Sequence, residues 1–285
     1  MITLLPTPIG NLYDVSLRML DALARSEIVL CEDTRITKKL ISLLSKNPII
    51  VQNFPQIFEE KRFFPFHSHN QEEFLEKVKK DFFQQNVVFL SDAGMPCIND
   101  PGALLVRYAQ ENQIPYDVLP GSNACILAYC LSGVIDDGFI FGGFLPHKQQ
   151  TRRKVLESFF NYCANVEKKL SLIFYESPHR ILESLLDICV VDEECEVFAV
   201  KEMSKLNQKY FKGSAREVAR ILPNQNIQGE WVLVLNPIKP PQGVLNLSDI
   251  TSLPLPPKIK AKLIAKITNE DTKKIYQNMV REGKE

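Results

Sequence analysis

The sequence predicts an α/β protein, and three observations carry that reading. Short apolar runs of four or five residues alternate with helical patterns. The 285 residues, 32.5 kDa, suit one or two domains of ordinary size. Apolar residues at 45% and charged residues at 24% match a globular chain rather than a disordered or fibrous one. Lys+Arg equals Asp+Glu at 34 each, which excludes a protein coated in positive charge but leaves room for local basic patches. Seven cysteines show no C-x-x-C pair and four histidines no H-E-x-x-H, so neither a zinc framework nor a disulfide scaffold has its spacing. Reduced thiols and no metal are expected. No segment approaches the ~18 apolar residues of a membrane span. Met1–Pro8 lacks a basic start and carries Pro6 and Pro8, unlike a signal peptide. The expectation is a soluble, cytoplasmic chain.

Taken in order, 2–5 reads as a strand. Ser16 caps a helix with Leu17, Leu20 and Leu23 on one stripe. Strand 28–31, helix 34–44, an extended 49–51 and helix 71–81 follow. Strand 87–90 leads into a turn-rich loop over 91–102, then helix 103–111 and strand 116–119. Pro120-Gly121 punctuates the chain and marks a joint. Beyond it come helix 124–131, strand 139–142, a helix from 151, strand 170–175 and helix 181–190. Strand 197–201, helix 215–222 and strand 231–235 complete the series. Pro237, Pro240, Pro241 and Gly243 mark a linker before two short helical patterns, 258–267 and 271–280.

Charge is unevenly placed. His147–Lys154 holds four Lys or Arg and no acid, Lys201–Arg220 six against two acids, and Lys258–Lys266 four lysines and no acid. One such cluster is ordinarily a solvated helix face; three raise the case for a phosphate-rich partner. Neither G-x-G-x-x-G nor G-x-x-x-x-G-K-[ST] is present, which excludes the common nucleotide motifs.

Four loops remain, each following an expected strand, where an open parallel sheet presents its ligands. They are Pro6-Thr7-Pro8-Ile9-Gly10-Asn11, Cys31-Glu32-Asp33-Thr34-Arg35, the segment Ser91–Gly102, and Pro120-Gly121-Ser122-Asn123-Ala124. The third packs two carboxylates, two glycines and two prolines into twelve residues. Any one of them alone reads as a strand-to-helix turn with a capping Asp or Ser.

In this order the loops resemble the ribosomal small-subunit methyltransferase I family. That family has the tetrapyrrole-methylase fold of the class III S-adenosylmethionine (SAM) methyltransferases. The resemblance extends through Phe63–Asn70, Gly143-Phe144-Leu145-Pro146, Phe174-Tyr175-Glu176-Ser177-Pro178-His179-Arg180, Lys201-Glu202-Met203-Ser204-Lys205 and Gly229-Glu230, spanning about residues 1–236. It implies two α/β domains, 1–119 and 120–238, with the SAM cleft between them, then a linker and helical tail over 239–285. It also implies a homodimer that 2′-O-methylates a cytidine ribose, cytidine 1402, of 16S rRNA in the 30S subunit. By analogy with the fold, cofactor contacts fall on Pro8, Ile9, Gly10, Asp92, Gly94, Met95, Asn123, Ala124, Tyr175, Glu202 and Glu230. The chain departs from the usual family pattern at Met95, Asn99, Ser122, Asn123, His147 and Met203; contacts made through the backbone survive such changes.

The implied chemistry asks for an acceptor oxygen held in line with the methyl group and relieved of its proton. Asp33 is the first candidate for that proton, or for orienting the group that takes it, with Glu32, Asp100 and His179 behind it. Asp33 as a simple helix cap is the competing reading. Arg35, Lys148, Arg152 and Arg153 are the expected phosphate ligands. His67 and His69 share a strand face, but no third ligand stands at metal spacing. Trp231 reads as core. Two other functions fit less well: a tetrapyrrole or diphthamide-type small-molecule methylase, which E-D-T-R and the basic patches disfavour, and a non-catalytic RNA-binding assembly protein, which the intact loops disfavour.

Overall fold

The computed structural model describes residues 1–238, 247–268 and 270–282. In the first half, β1 (Ile2–Leu5), β2 (Ile28–Cys31), β3 (Arg62–Pro65), β4 (Val87–Leu90) and β5 (Tyr116–Val118) form one sheet in the order β3-β2-β4-β1-β5. Every pairing in it is parallel. The connecting helices are α1 (Leu17–Arg25), α2 (Thr34–Leu44), α3 (Pro48–Asn53), α4 (Gln71–Lys77) and α5 (Ala103–Glu111). Period-two alternation explains the layers, since successive side chains leave a strand on opposite faces. Val29 and Cys31 pack with Met19, Leu20 and Leu23 of α1, while Ile28 and Leu30 pack with Leu105 and Ala109 of α5. Both faces are covered, which is why these strands read as unbroken apolar runs.

In the second half, α6 (Ala124–Ser132) precedes β6 (Gly138–Phe144), α7 (Gln149–Asn165), β7 (Leu170–Glu176), α8 (Ile181–Val191), β8 (Glu196–Lys201), β9 (Lys209–Ser214), α9 (Ala215–Ile221) and β10 (Trp231–Asn236). The sheet order is β6-β7-β10-β8-β9, with only β6–β7 parallel. Leu233 and Leu235 face α7–α9, and Val232 and Val234 face α6. Trp231 is buried in this core. Beyond it, α10 (Leu247–Ser252), α11 (Pro257–Thr268) and α12 (Thr272–Glu282) close over a small core of their own. Of the expected linker, Pro240, Pro241 and Gly243 lie outside the described residues.

Several expectations are corrected. Residues 49–51 are helical, because Asn47 Oδ1 accepts from the Ile49 N–H (3.0 Å) and Pro48 occupies the first helical turn. Residues 71–81 are helical only to Lys77, and a 3₁₀ segment follows over Lys80–Gln84. Ser16 caps α1 as expected, but the buried stripe is Met19, Leu20 and Leu23; Leu17 is exposed. β3 and β9, both at sheet edges, were not expected.

The parallel sheet sends the loops after β1, β2, β4 and β5 to one edge. Two of them are stitched together directly: Thr7 and Gly94 exchange backbone hydrogen bonds of 2.9 and 3.0 Å. The loop after β5, Leu119–Asn123, leads into α6, which packs on the second sheet.

Candidate active site

A cavity of about 300 Å³ lies between the two halves. The first half contributes Ile9 from the loop after β1 and Ala93, Gly94, Met95, Asn99 and Asp100 from the loop after β4. Asn123 and Ala124 stand at the start of α6, and Tyr175, Ser177 and Glu230 line the second-half wall. Gly94 takes φ +82°, and a Cβ there would sit 3.3 Å from Ile9 Cγ2, so bare backbone faces the cavity at that point. Asn123 caps α6, its Oδ1 accepting from the Ile126 N–H at 3.1 Å.

The loop over 91–102 is tightly wound, with Cys97 and Asn99 also at positive φ. It delivers Asp100 to the cavity in a half-buried position. Burial first, then the carboxylates of Glu32 and Asp92, push the Asp100 carboxyl up to about 7. Asp92 is raised by the same causes, burial and then Glu32. It binds the neighbouring loop, its Oδ1 accepting from the Asp33 N–H (3.1 Å) while its own N–H donates to Glu32 Oε2 (3.3 Å). Asp33 behaves oppositely. It caps α2 by accepting from the Arg35 N–H (2.8 Å), and the Arg35 guanidinium grips both its oxygens, one at 2.6 Å. Those bonds hold its carboxyl down at about 2.

Of the residues expected to hold a cofactor, Ile9, Gly94, Met95, Asn123, Ala124, Tyr175 and Glu230 line this cavity. Pro8, Gly10 and Asp92 line an adjoining cleft with Thr7, Ile36 and Lys39. Glu202 is spent elsewhere: its Oε1 accepts from Lys205 Nζ (3.0 Å) and from the Glu230 N–H (3.0 Å). His179 is exposed in the turn before α8, outside the cavity lining. The phenol of Tyr175 is pushed up to about 12, mainly by burial. It packs edge-on to Phe141 and Phe144, with centroids 4.9 and 5.6 Å away.

The basic cluster at the start of α7 divides. Lys148 is exposed. Arg152, expected to hold phosphate, is fully buried: its Nε donates to Asp187 Oδ2 (2.7 Å) and its Nη1 to the carbonyls of Pro146 and His147. It cannot reach a phosphate. Arg153 is half-exposed, with Nε on Asp187 Oδ1 (2.6 Å). The buried Glu176 pairs with the partly buried Arg180 at 2.7 Å, and Arg180 Nη1 also holds the Leu145 carbonyl at 2.9 Å. Sequence reasoning did not single out Ser177, Phe144 or Asn99 as cavity residues. The F-Y-E-S-P-H-R and G-F-L-P motifs were the signal that could have found the first two.

The site fits SAM by its own chemistry. The carboxylates of Glu32 and Asp92 raise the cost of charging Asp100, and Glu32 that of Asp92, a cost that a cationic sulfonium relieves. The apolar walls suit an adenosyl group. Among the described residues no group of three or more His, Cys, Asp or Glu side chains is placed to hold a metal ion.

The family model for tetrapyrrole (corrin/porphyrin) methylases matches residues 1–219. Fold and site thus define a SAM-dependent methyltransferase. The chain is 47% identical over 287 residues to the ribosomal RNA small subunit methyltransferase I of Helicobacter pylori strain J99, covering 100% of this chain and 99% of the relative. Cobalt precorrin-4 methyltransferase, a cobalamin biosynthetic enzyme, shares the fold with a TM-score of 0.57 and 13% identity, over 82% of this chain and 94% of that one. The uroporphyrin-III C-methyl transferase of Thermus thermophilus, solved with S-adenyl homocysteine, gives 0.52 and 16%, over 82% and 96%. The chain belongs to the tetrapyrrole methylase family and, within it, to the ribosomal RNA small subunit methyltransferase I family.

Proposed function

We propose that the chain moves the methyl group of SAM to the 2′-hydroxyl of a cytidine ribose in 16S rRNA, cytidine 1402 of the 30S subunit, and that Asp100 takes the hydroxyl proton. The observation that carries the mechanism is the contrast between two nearby carboxyls: Asp100 at about 7 in the cavity, Asp33 at about 2 under Arg35. A base works best when its pKa lies near the working pH. The rRNA substrate is supported by the name and full-length match of the Helicobacter relative.

SAM, when bound, supplies an electrophilic methyl group on a sulfonium and so carries its own leaving group. The rest falls to the chain. The backbone over Ala93–Met95, with Ile9 and Ala124, shapes the binding wall. Asp100 removes the proton that keeps a ribose hydroxyl a poor nucleophile. Lys148 and Arg35, whose side chains reach solvent, hold the RNA phosphates. The same reading makes the chain a cytoplasmic homodimer of two cofactor-sharing domains, 1–119 and 120–238, followed by the segment 239–285. No helix among the described residues is long and apolar enough to cross a membrane.

The test is transfer of labelled methyl from SAM to 30S subunits and to free 16S rRNA, followed by nucleoside mass spectrometry. 2′-O-methylcytidine at one position supports the proposal. A base-methylated product, or transfer to small tetrapyrroles and not to RNA, overturns it.

A further inference from the structure

The three C-terminal helices enclose Ile250, Ala261, Ile264 and Ile275, a core separate from those of the two sheets. Neither α11 nor α12 has an acidic residue in its first turn. Lys258 opens α11, where the helix dipole disfavours a cation. Lys273 and Lys274 open α12 behind Asp271, whose Oδ1 accepts from both of their N–H groups. Along α11, Lys258, Lys262 and Lys266 recur every fourth residue, so their positions rise by ~6 Å and drift by only ~40° at each step. All three are exposed, while Ala261 and Ile264 face the small core. The ion pairs among the described residues include none of these five lysines.

A line of unpaired cations at a fixed repeat matches a polymer of evenly spaced anions better than a single anion. We propose that the Lys258–Lys262–Lys266 stripe, with the exposed Lys273 and Lys274 at the start of α12, binds the phosphodiester backbone of the RNA substrate as a second contact outside the cavity. The choice of RNA rests on the functional reading above. An anionic membrane fits less well, because the buried apolar residues of α11 are occupied by its own helical unit.

The experiment uses the full chain with Lys258→Gln, Lys262→Gln and Lys266→Gln combined, since Gln preserves helix propensity. Affinity for 16S rRNA is measured across a KCl series. Each lost phosphate contact removes roughly 0.7–0.9 from the log–log slope, so the triple variant falls by about 2–3. SAM affinity and methyl transfer at saturating RNA stay at the parent level. The Lys→Arg triple variant keeps the parent slope, which separates charge from folding. An unchanged slope in the Gln variant overturns the proposal, as does parent binding to phosphatidylserine vesicles that exceeds binding to RNA and is lost in that variant. Failure of the functional reading shows separately, as absence of methyl transfer by the parent protein.

Discussion

Asp100 and Asp33 sit on neighbouring loops of one sheet edge, and their surroundings give them opposite tasks. Burial and like charge raise Asp100 to about 7, above its unfolded value of 3.8. Its charged form is therefore disfavoured in the folded chain, which loses stability from this residue as pH rises from 3.8 through 7. Asp100→Asn is expected to raise the melting temperature relative to the parent at pH 8 and leave it little changed at pH 4, measured by calorimetry. Asp33 lies at about 2, so its stabilisation is present above 3.8 and is lost as pH falls through 2. Because Asn caps a helix nearly as well, Asp33→Asn should keep most of the parent turnover in a methyl-transfer assay. A loss of a hundredfold or more would return the proton-accepting role to Asp33. The sequence displayed all four acids of these loops. It did not rank them, because ranking depends on burial and on which arginine folds back onto which carboxylate.

At the scale of elements, two arginines, Arg152 fully buried and Arg180 partly so, bind consecutive carbonyls of the loop between β6 and α7. Arg180 takes Leu145, and Arg152 takes Pro146 and His147. The loop that follows Phe144, the cavity residue at the end of β6, and brings Lys148 to the surface is thereby fixed from within. Asp187 on α8 anchors Arg152, with both side chains fully buried. Asp187→Ala leaves that buried guanidinium only the longer 3.3 Å contact to the exposed Glu183 carboxylate, and is expected to cost about 3 kcal/mol in urea unfolding. Arg153→Ala removes a partly exposed partner and should cost about 1 kcal/mol or less. Arg152 looked like a phosphate ligand because its acid lies 35 positions away in the sequence, too far for local charge counting. The central strands were legible, since residues covered on both faces are apolar throughout. β3 and β9 were not, because these edge strands carry exposed charged residues such as Arg62, Lys209 and Lys212. α3 was misread because its β-branched run outweighed the Asn47-Pro48 start.

At the scale of the molecule, the cavity exists because two sheets meet through close backbone approaches. Gly10 shows how close: a Cβ there would stand 2.5 Å from Lys205 Cγ and 2.8 Å from the Ser204 carbonyl carbon. Ser204 Oγ also donates to Asp14 Oδ2 across the same seam, at 2.7 Å. Gly10→Ala should push the halves apart and weaken SAM binding at least tenfold by titration calorimetry, with far-ultraviolet circular dichroism unchanged. The order of the loops was readable from sequence, and the family resemblance implied a cleft between the two halves; the contacts that close the seam were not readable, since they join residues almost 200 positions apart. On the proposed mechanism, the cavity between these sheets removes a proton from a ribose hydroxyl through Asp100. The pH dependence of single-turnover methyl transfer to 16S rRNA, in the parent and in Asp100→Asn, tests this step. The parent rate is expected to rise with pH to a plateau, with a midpoint at or below about 7, because a cationic donor favours the carboxylate. In the variant the rate should be ~10²–10⁴ lower and flat across that range. A variant that keeps the parent's rate and its pH profile would rule out Asp100 as the base.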